Sequence, residues 1–222
     1  RLCMACHNGR RSSDDVDDQI QNGSSHFGPH HSNQGDMLAG VNAYQDVNPS
    51  FPWTSSRHIL VEDACVTCHT HPNDGDPDAG IDAFTGHTFA PTVEACQPCH
   101  GGLTSFDEVA ALEDFDGDGN VEGVQLEIEG LLALLQQAII DAPGAMPTSA
   151  DSLQADFEGY LGATHITTVP QREAGYNWAF VDYDGSKGVH NAAYSVQLLQ
   201  QSILYIDPSG RLPERAYVLV NP

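Results

Sequence analysis

The sequence predicts a chain that is mostly irregular, with a few α-helices and little or no sheet. Three observations predict it. The first hundred residues are crowded with turn formers, as in "NGSSHFGPHHSNQG", "DVNPSFPWTSS" and "HPNDGDPDAG". Helical periodicity is confined to two segments of the second half. One five-residue pattern, C-x-x-C-H, occurs three times and uses all six cysteines of the 222 residues.

In chain order, residues 1–110 read as a loop-rich region that carries all three motifs. Within it, "HILVEDACVTCH" (His58 to His69) aligns with "HTFAPTVEACQPCH" (His87 to His100), so two similar modules are expected, with "CMACH" opening a third. Residues 111–222 open on an acidic loop and continue into helices. From Val121 to Ile140, apolar residues recur at Val121, Val124, Ile128, Leu131, Leu132, Leu135 and Ile139, close to helical period, and "APGAMP" ends the run. A second helix is expected from Asn191, an N-cap residue, to Ile206, with Pro208 beyond its end. Both helices are expected to pack as a lid over one side of whatever the first region holds. The tail segment "AYVLV" reads as a short strand, either an edge strand that pairs with another subunit or a strand packed on its own domain.

The motifs supply the chemistry. In C-x-x-C-H the cysteines, here Cys3 and Cys6, Cys65 and Cys68, Cys96 and Cys99, add to the vinyl groups of a c-type haem. The adjacent His7, His69 and His100 then lie under the iron as proximal ligands. Structural zinc requires sets of four ligands, and three motifs leave one unpaired. A thioredoxin-like dithiol would stand alone, without a histidine after every second cysteine. Three haems c are therefore expected. They would also fill much of the interior of a chain that is only 40% hydrophobic.

Eight basic residues against 31 acidic ones give a formal charge of -23, which haem propionates would deepen. Nucleic acid is excluded as a partner, because phosphate binding requires clustered Lys and Arg. Anionic membrane surfaces are disfavoured for the same reason. No apolar run reaches the roughly 18 residues of a transmembrane helix, and "GLLALLQQAII" falls short. Covalent haem attachment takes place outside the cytoplasm, so Arg1, almost adjoining a motif, is read as a processed or truncated N-terminus from which an export signal was removed. The expected location is extracytoplasmic, with the cell surface or exterior favoured over the periplasm.

Eleven histidines less the three proximal ones leave His26, His30, His31, His58, His71, His87, His165 and His190. Neutral imidazole is a good sixth ligand for iron. Four segments, "PHHSNQGDMLAG" (Pro29 to Gly40), "TGHTF" (Thr85 to Phe89), "DFDGDGNVEGVQLEIEGLL" (Asp114 to Leu132) and "GVHNAAYSVQLL" (Gly188 to Leu199), occur in an order that resembles the multihaem c-type cytochromes of bacterial respiratory and extracellular electron transfer. The resemblance implies distal ligands at His87 and His190, with His30 or His31 and His58 as further candidates. That makes four sites for three irons. Either one histidine ligates a haem of a neighbouring subunit or of a segment upstream of Arg1, as in similar extracellular cytochrome filaments, or His58 or one of the His30/His31 pair bonds a propionate. His26, His71 and His165 are read as non-ligands. An extended chain advances about 3.3 Å per residue, so His58 could wrap round to the iron of His69 only tightly, and a neighbouring haem is easier to reach.

"DFDGDGNVEGVQLE" resembles a calcium-binding EF-hand loop without completing either register: from Asp114 position 12 is Gln125, and from Asp116 Val121 stands where the glycine belongs. The expected Ca2+ ligands are Asp114, Asp116, Asp118 and Asn120, closed by Glu122 or Glu127, in a structural role; the alternative is a solvated acidic turn.

The functional expectation is a low-potential bis-histidine electron carrier and not an enzyme. Its partners are other cytochromes or copies of itself, in a homo-oligomer or conductive filament, or the rest of a larger multihaem chain. The alternative is a reductase of nitrite, hydroxylamine or tetrathionate with one open iron. Such an iron is often marked by a lysine or an extra cysteine, but no cysteine is spare and Lys187 is the only lysine.

Overall fold

The computed structural model describes residues 2–22, 24, 28–85, 91–143, 168–208 and 210–212. His26, His87, His165 and the "AYVLV" segment lie outside them. Helix α1 (Ser13–Gln21) begins at a capping box in which the Ser12 hydroxyl and the Asp15 carboxylate each accept from the other's backbone N–H. Loops are expected here from sequence. The helix escapes the periodicity because its buried face is only Val16 and Ile20, one turn apart. Helix α2 (Gln34–Ala39) and helix α3 (Cys65–His69) are one to two turns long. β1 (Pro72–Asn73) and β2 (Phe84–Thr85) form a two-residue antiparallel pair.

The longer helices follow: α4 (Val124–Asp141), α5 (Val169–Asp184) and α6 (Ala192–Ile206). The periodic residues Ile128, Leu131, Leu135 and Ile139 form the buried stripe of α4, and Asn191 caps α6 by accepting from Tyr194 N at 3.1 Å. Helix α5 is absent from the sequence expectation. Eleven of its 16 residues are buried, so it has no polar face to set against an apolar one. Its buried polar groups are used in packing. Gln171 donates to the carbonyls of Ile139 and Ala142 at the end of α4, and Trp178 Nε1 donates to Leu132 O. Asn177 accepts from Tyr44 N and donates to Tyr44 O and Ser202 Oγ.

The three helices enclose a core of their own side chains, including Ile128, Leu135, Phe180, Tyr194, Leu198 and Ile203. Each such side chain contributes about 1.5–3 kcal/mol by its burial. Val16, Ile20, Met37, Ala43 and Tyr44 join the same cluster, so residues on both sides of the expected 110/111 boundary share one core.

Burial is very unevenly distributed. Between Tyr44 and Ala95, no apolar side chain among the described residues is fully buried; Val47 and Trp53 only lean on the edge of the core. Apolar residues beside the motifs and candidate ligands point into solvent instead: Leu2 is 87% exposed, Leu60 82% and Val66 47%.

Candidate functional site

Each motif is one helical turn. His7 N and His100 N donate to the carbonyls of Cys3 and Cys96, both at 2.8 Å, and Cys65–His69 is helix α3. In such a turn, residues i and i+3 share a face and i+4 lies beside them. Both thiols of a motif can therefore meet one edge of a flat ligand while the imidazole lies against its face. The motifs also converge. Burial pushes the Cys65, Cys68 and Cys96 thiols up, and neighbouring thiols add to this: Cys3 next to Cys65, Cys65 and Cys99 next to Cys68, Cys68 and Cys99 next to Cys96. Redox-active thiols are shifted the other way. Among the described residues, the only set of three His, Cys or carboxylate ligand atoms converging within 4.8 Å is Asp114, Asp116 and Glu127, so no three Cys and His ligands meet as a structural zinc site requires.

Two of the motif histidines have an imidazole partner. His69 and His190 have ring centres 6.1 Å apart with planes at 33°; His58 and His100 have ring centres 6.1 Å apart with planes at 84°. A metal bound by two imidazoles at about 2 Å, with each ring centre about 1.1 Å behind its nitrogen, separates the centres by roughly 6 Å. Both pairs have that spacing. The imidazole that His58 approaches is thus that of the third motif, His100.

Hydrogen bonds orient these rings. His190 Nδ1 lies 2.7 Å from Asp184 Oδ1, His58 Nδ1 lies 2.7 Å from Val189 O, and His7 Nδ1 lies 3.1 Å from Gln34 Oε1. In each case an acceptor occupies Nδ1 and leaves Nε2 for a metal. Helix α2 reaches His7 through Gly35, whose N–H donates to His7 O at 2.9 Å. A Cβ there would sit 2.5 Å from that oxygen, so the close approach requires glycine. At Gly188, φ is +94° and a Cβ would meet Ile128 Cδ1 at 2.3 Å, which fixes the turn leading to His190 against α4.

His30 and His31 stack on each other with centres 4.4 Å apart, too close to hold a metal between them, and His30 Nδ1 meets Ser32 Oγ at 2.6 Å. Burial, with Arg10 nearby, holds the His30 pKa below the usual histidine range. The single lysine, Lys187, pairs with Glu129 on α4.

The acidic loop is built as its motif suggests. Gly119 N donates to Asp114 Oδ2, Asp118 N to Asp116 Oδ1 and Asn120 N to Asp118 Oδ1. Glu127, 1% exposed, accepts from the backbone of Phe115, Asp116 and Glu122 and so closes the loop, while Glu122 contributes its backbone. Burial raises the Asp116 pKa, and the charges of Glu127, Asp118 and Asp114 raise it further.

Sequence reasoning missed Asp184 and Gln34. The signal for Asp184 was a carboxylate six residues before His190 in "DGSKGVH". Comparison of the chain with protein-family models, with curated proteins and with solved structures finds no match.

Proposed function

We propose that the chain is a three-haem c-type cytochrome whose work is electron transfer. The observation that carries this is the pair of 6.1 Å imidazole spacings, each built on the histidine of a C-x-x-C-H motif. The exposed apolar side chains of Leu2, Leu60 and Val66 beside the motifs also suit contact with a large flat apolar group. Bound haem supplies a one-electron ferric/ferrous couple. Cys3 and Cys6, Cys65 and Cys68, and Cys96 and Cys99 would hold the three groups covalently. His69 with His190, and His100 with His58, would hold two irons from both sides and exclude substrate from them. His7 would hold the third, with His30, His31 and His87 as candidates for its far side or for an iron of a neighbouring copy.

Irons closed in this way carry electrons without binding a reactant, which favours a carrier over a reductase. Lys187, held by Glu129, is not presented as a ligand to an open iron. Its place is outside the cytoplasm, where thioethers are formed, and its partners are other cytochromes or further copies of the chain. The carboxylates Asp114, Asp116 and Glu127, within 4.8 Å of one another, are the proposed ligands of a structural Ca2+.

The test is an absorption spectrum of oxidised and reduced protein, with a pyridine haemochrome count repeated under carbon monoxide. Three haems per chain with unmoved low-spin bands are expected. A chain without haem overturns the function, and a shifted fraction turns it towards a reductase.

A further inference from the structure

One short segment reaches all three motif sites. Asp184, at the end of α5, meets His190 Nδ1 at 2.7 Å. Val189, five residues on, accepts from His58 through its carbonyl. Gln34, whose Oε1 lies against His7 Nδ1, turns its Nε2 to the carbonyls of Tyr183 and Asp184 at 3.3 and 3.4 Å. The segment from Tyr183 to His190 is thus a common anchor for the imidazoles that would face the irons.

The three acceptors are not equivalent. His58 and His7 meet neutral oxygens, a peptide carbonyl and a side-chain amide. His190 meets a carboxylate whose side chain is 1% exposed. The other oxygen of Asp184 accepts from the Ser186 hydroxyl and backbone N–H. A buried carboxylate on Nδ1–H draws that proton away and makes Nε2 a stronger donor. A stronger donor stabilises ferric over ferrous iron.

We propose that Asp184 is a positioning and tuning residue that holds the His69–His190 iron at a lower potential than the His58–His100 iron, so that of these two it is the last to be reduced. This rests on the haem-binding function proposed above. The haem count of the wild-type chain tests that function; the midpoints of variants test Asp184.

The experiment is a spectroelectrochemical titration of the haem-loaded full chain, with paramagnetic resonance to identify each component. The ring planes distinguish the two paired sites: near-perpendicular ligands at His58–His100 give a strongly axial ferric signal, and the smaller twist at His69–His190 a rhombic one. Asp184→Asn keeps an acceptor oxygen and removes the charge. It is expected to raise the midpoint of the rhombic component alone, with three haems retained. Ser186→Ala leaves the carboxylate less shared and is expected to lower the same midpoint. Opposite shifts on one component cannot come from mere loosening of the turn. Unmoved midpoints, shifts of the same sign in both variants, or a shift confined to the axial component would each overturn the proposal. If Asp184→Asn fails to fold, the sign of the Ser186→Ala shift alone decides.

Discussion

Replacing His58 by alanine should open one iron and leave the others closed. His58 stands on an exposed 3-10 turn, Arg57–Leu60, and its ring makes two notable approaches: to His100, centre to centre at 6.1 Å, and from Nδ1 to Val189 O at 2.7 Å. The hydrogen bond is exposed, so water can replace the lost donor and the cost in stability is about 0–1 kcal/mol. One iron of three loses its sixth ligand, so about one third of the haem absorbance should shift under carbon monoxide, against none in the parent. A carbon monoxide difference spectrum, scaled to the pyridine haemochrome count, measures this. The site is assigned by repeating the change in a Cys96→Ala/Cys99→Ala background, where the third haem is absent. There the carbon monoxide band should vanish. A band that persists would place His58 on another iron and refute the reasoning from ring spacing.

Other outcomes follow from the same geometry. Asn177→Ala leaves the N–H and C=O of buried Tyr44 and the Ser202 hydroxyl without their partner, and denaturant unfolding should show a loss of roughly 3–5 kcal/mol. Tyr44 Oη, with one proton, lies 2.8 Å from both Asp17 and Glu173, and Tyr205 donates to the other oxygen of Glu173. Burial raises the Glu173 pKa, with Asp17 and Asp46 adding to it, so its protonated form fits the network. The stability tied to that proton is present below the ordinary glutamate range and is lost as pH rises through the raised value. Glu173→Gln, which mimics the protonated acid, should melt with the parent at acid pH and above it at neutral pH; coincident melting at both would refute the shared proton. Calcium at a hundredfold excess over its dissociation constant should add about 2.7 kcal/mol, or about 5–10 °C of melting temperature, and Asp116→Asn should abolish the gain.

What was legible in the sequence was local. The stripe of α4, the Asn191 cap, the motifs and the D-x-D-x-D-G loop each follow from spacings of a few residues. Helix α5 was hidden because burial on nearly all sides erases amphipathic period, and α1 because two apolar residues make too weak a stripe. The pairing of His58 with His100 and of His190 with His69 depends on tertiary approach and has no local signature. Glu127 was one of two alternatives for closing the acidic loop. Its three backbone donors distinguish it from Glu122: Phe115 and Asp116 at the entry of the loop, folded back onto α4, and Glu122 itself at the exit.

The uneven burial also sets an order of maturation. The helices from Val124 to Ile206 close on their own side chains and can form as soon as the chain is free to collapse. The described residues between Tyr44 and Ala95 have no comparable apolar burial to offset an ordering cost of about 1–2 kcal/mol per residue. Under the proposed function they would stay an accessible tether until porphyrin arrives, the state in which cysteines can be reached by whatever catalyst forms thioethers. Each thioether bond would then shorten the loops still open and bring the next motif nearer. In this half of the molecule, the proposed covalent chemistry would complete folding, not decorate a fold already made.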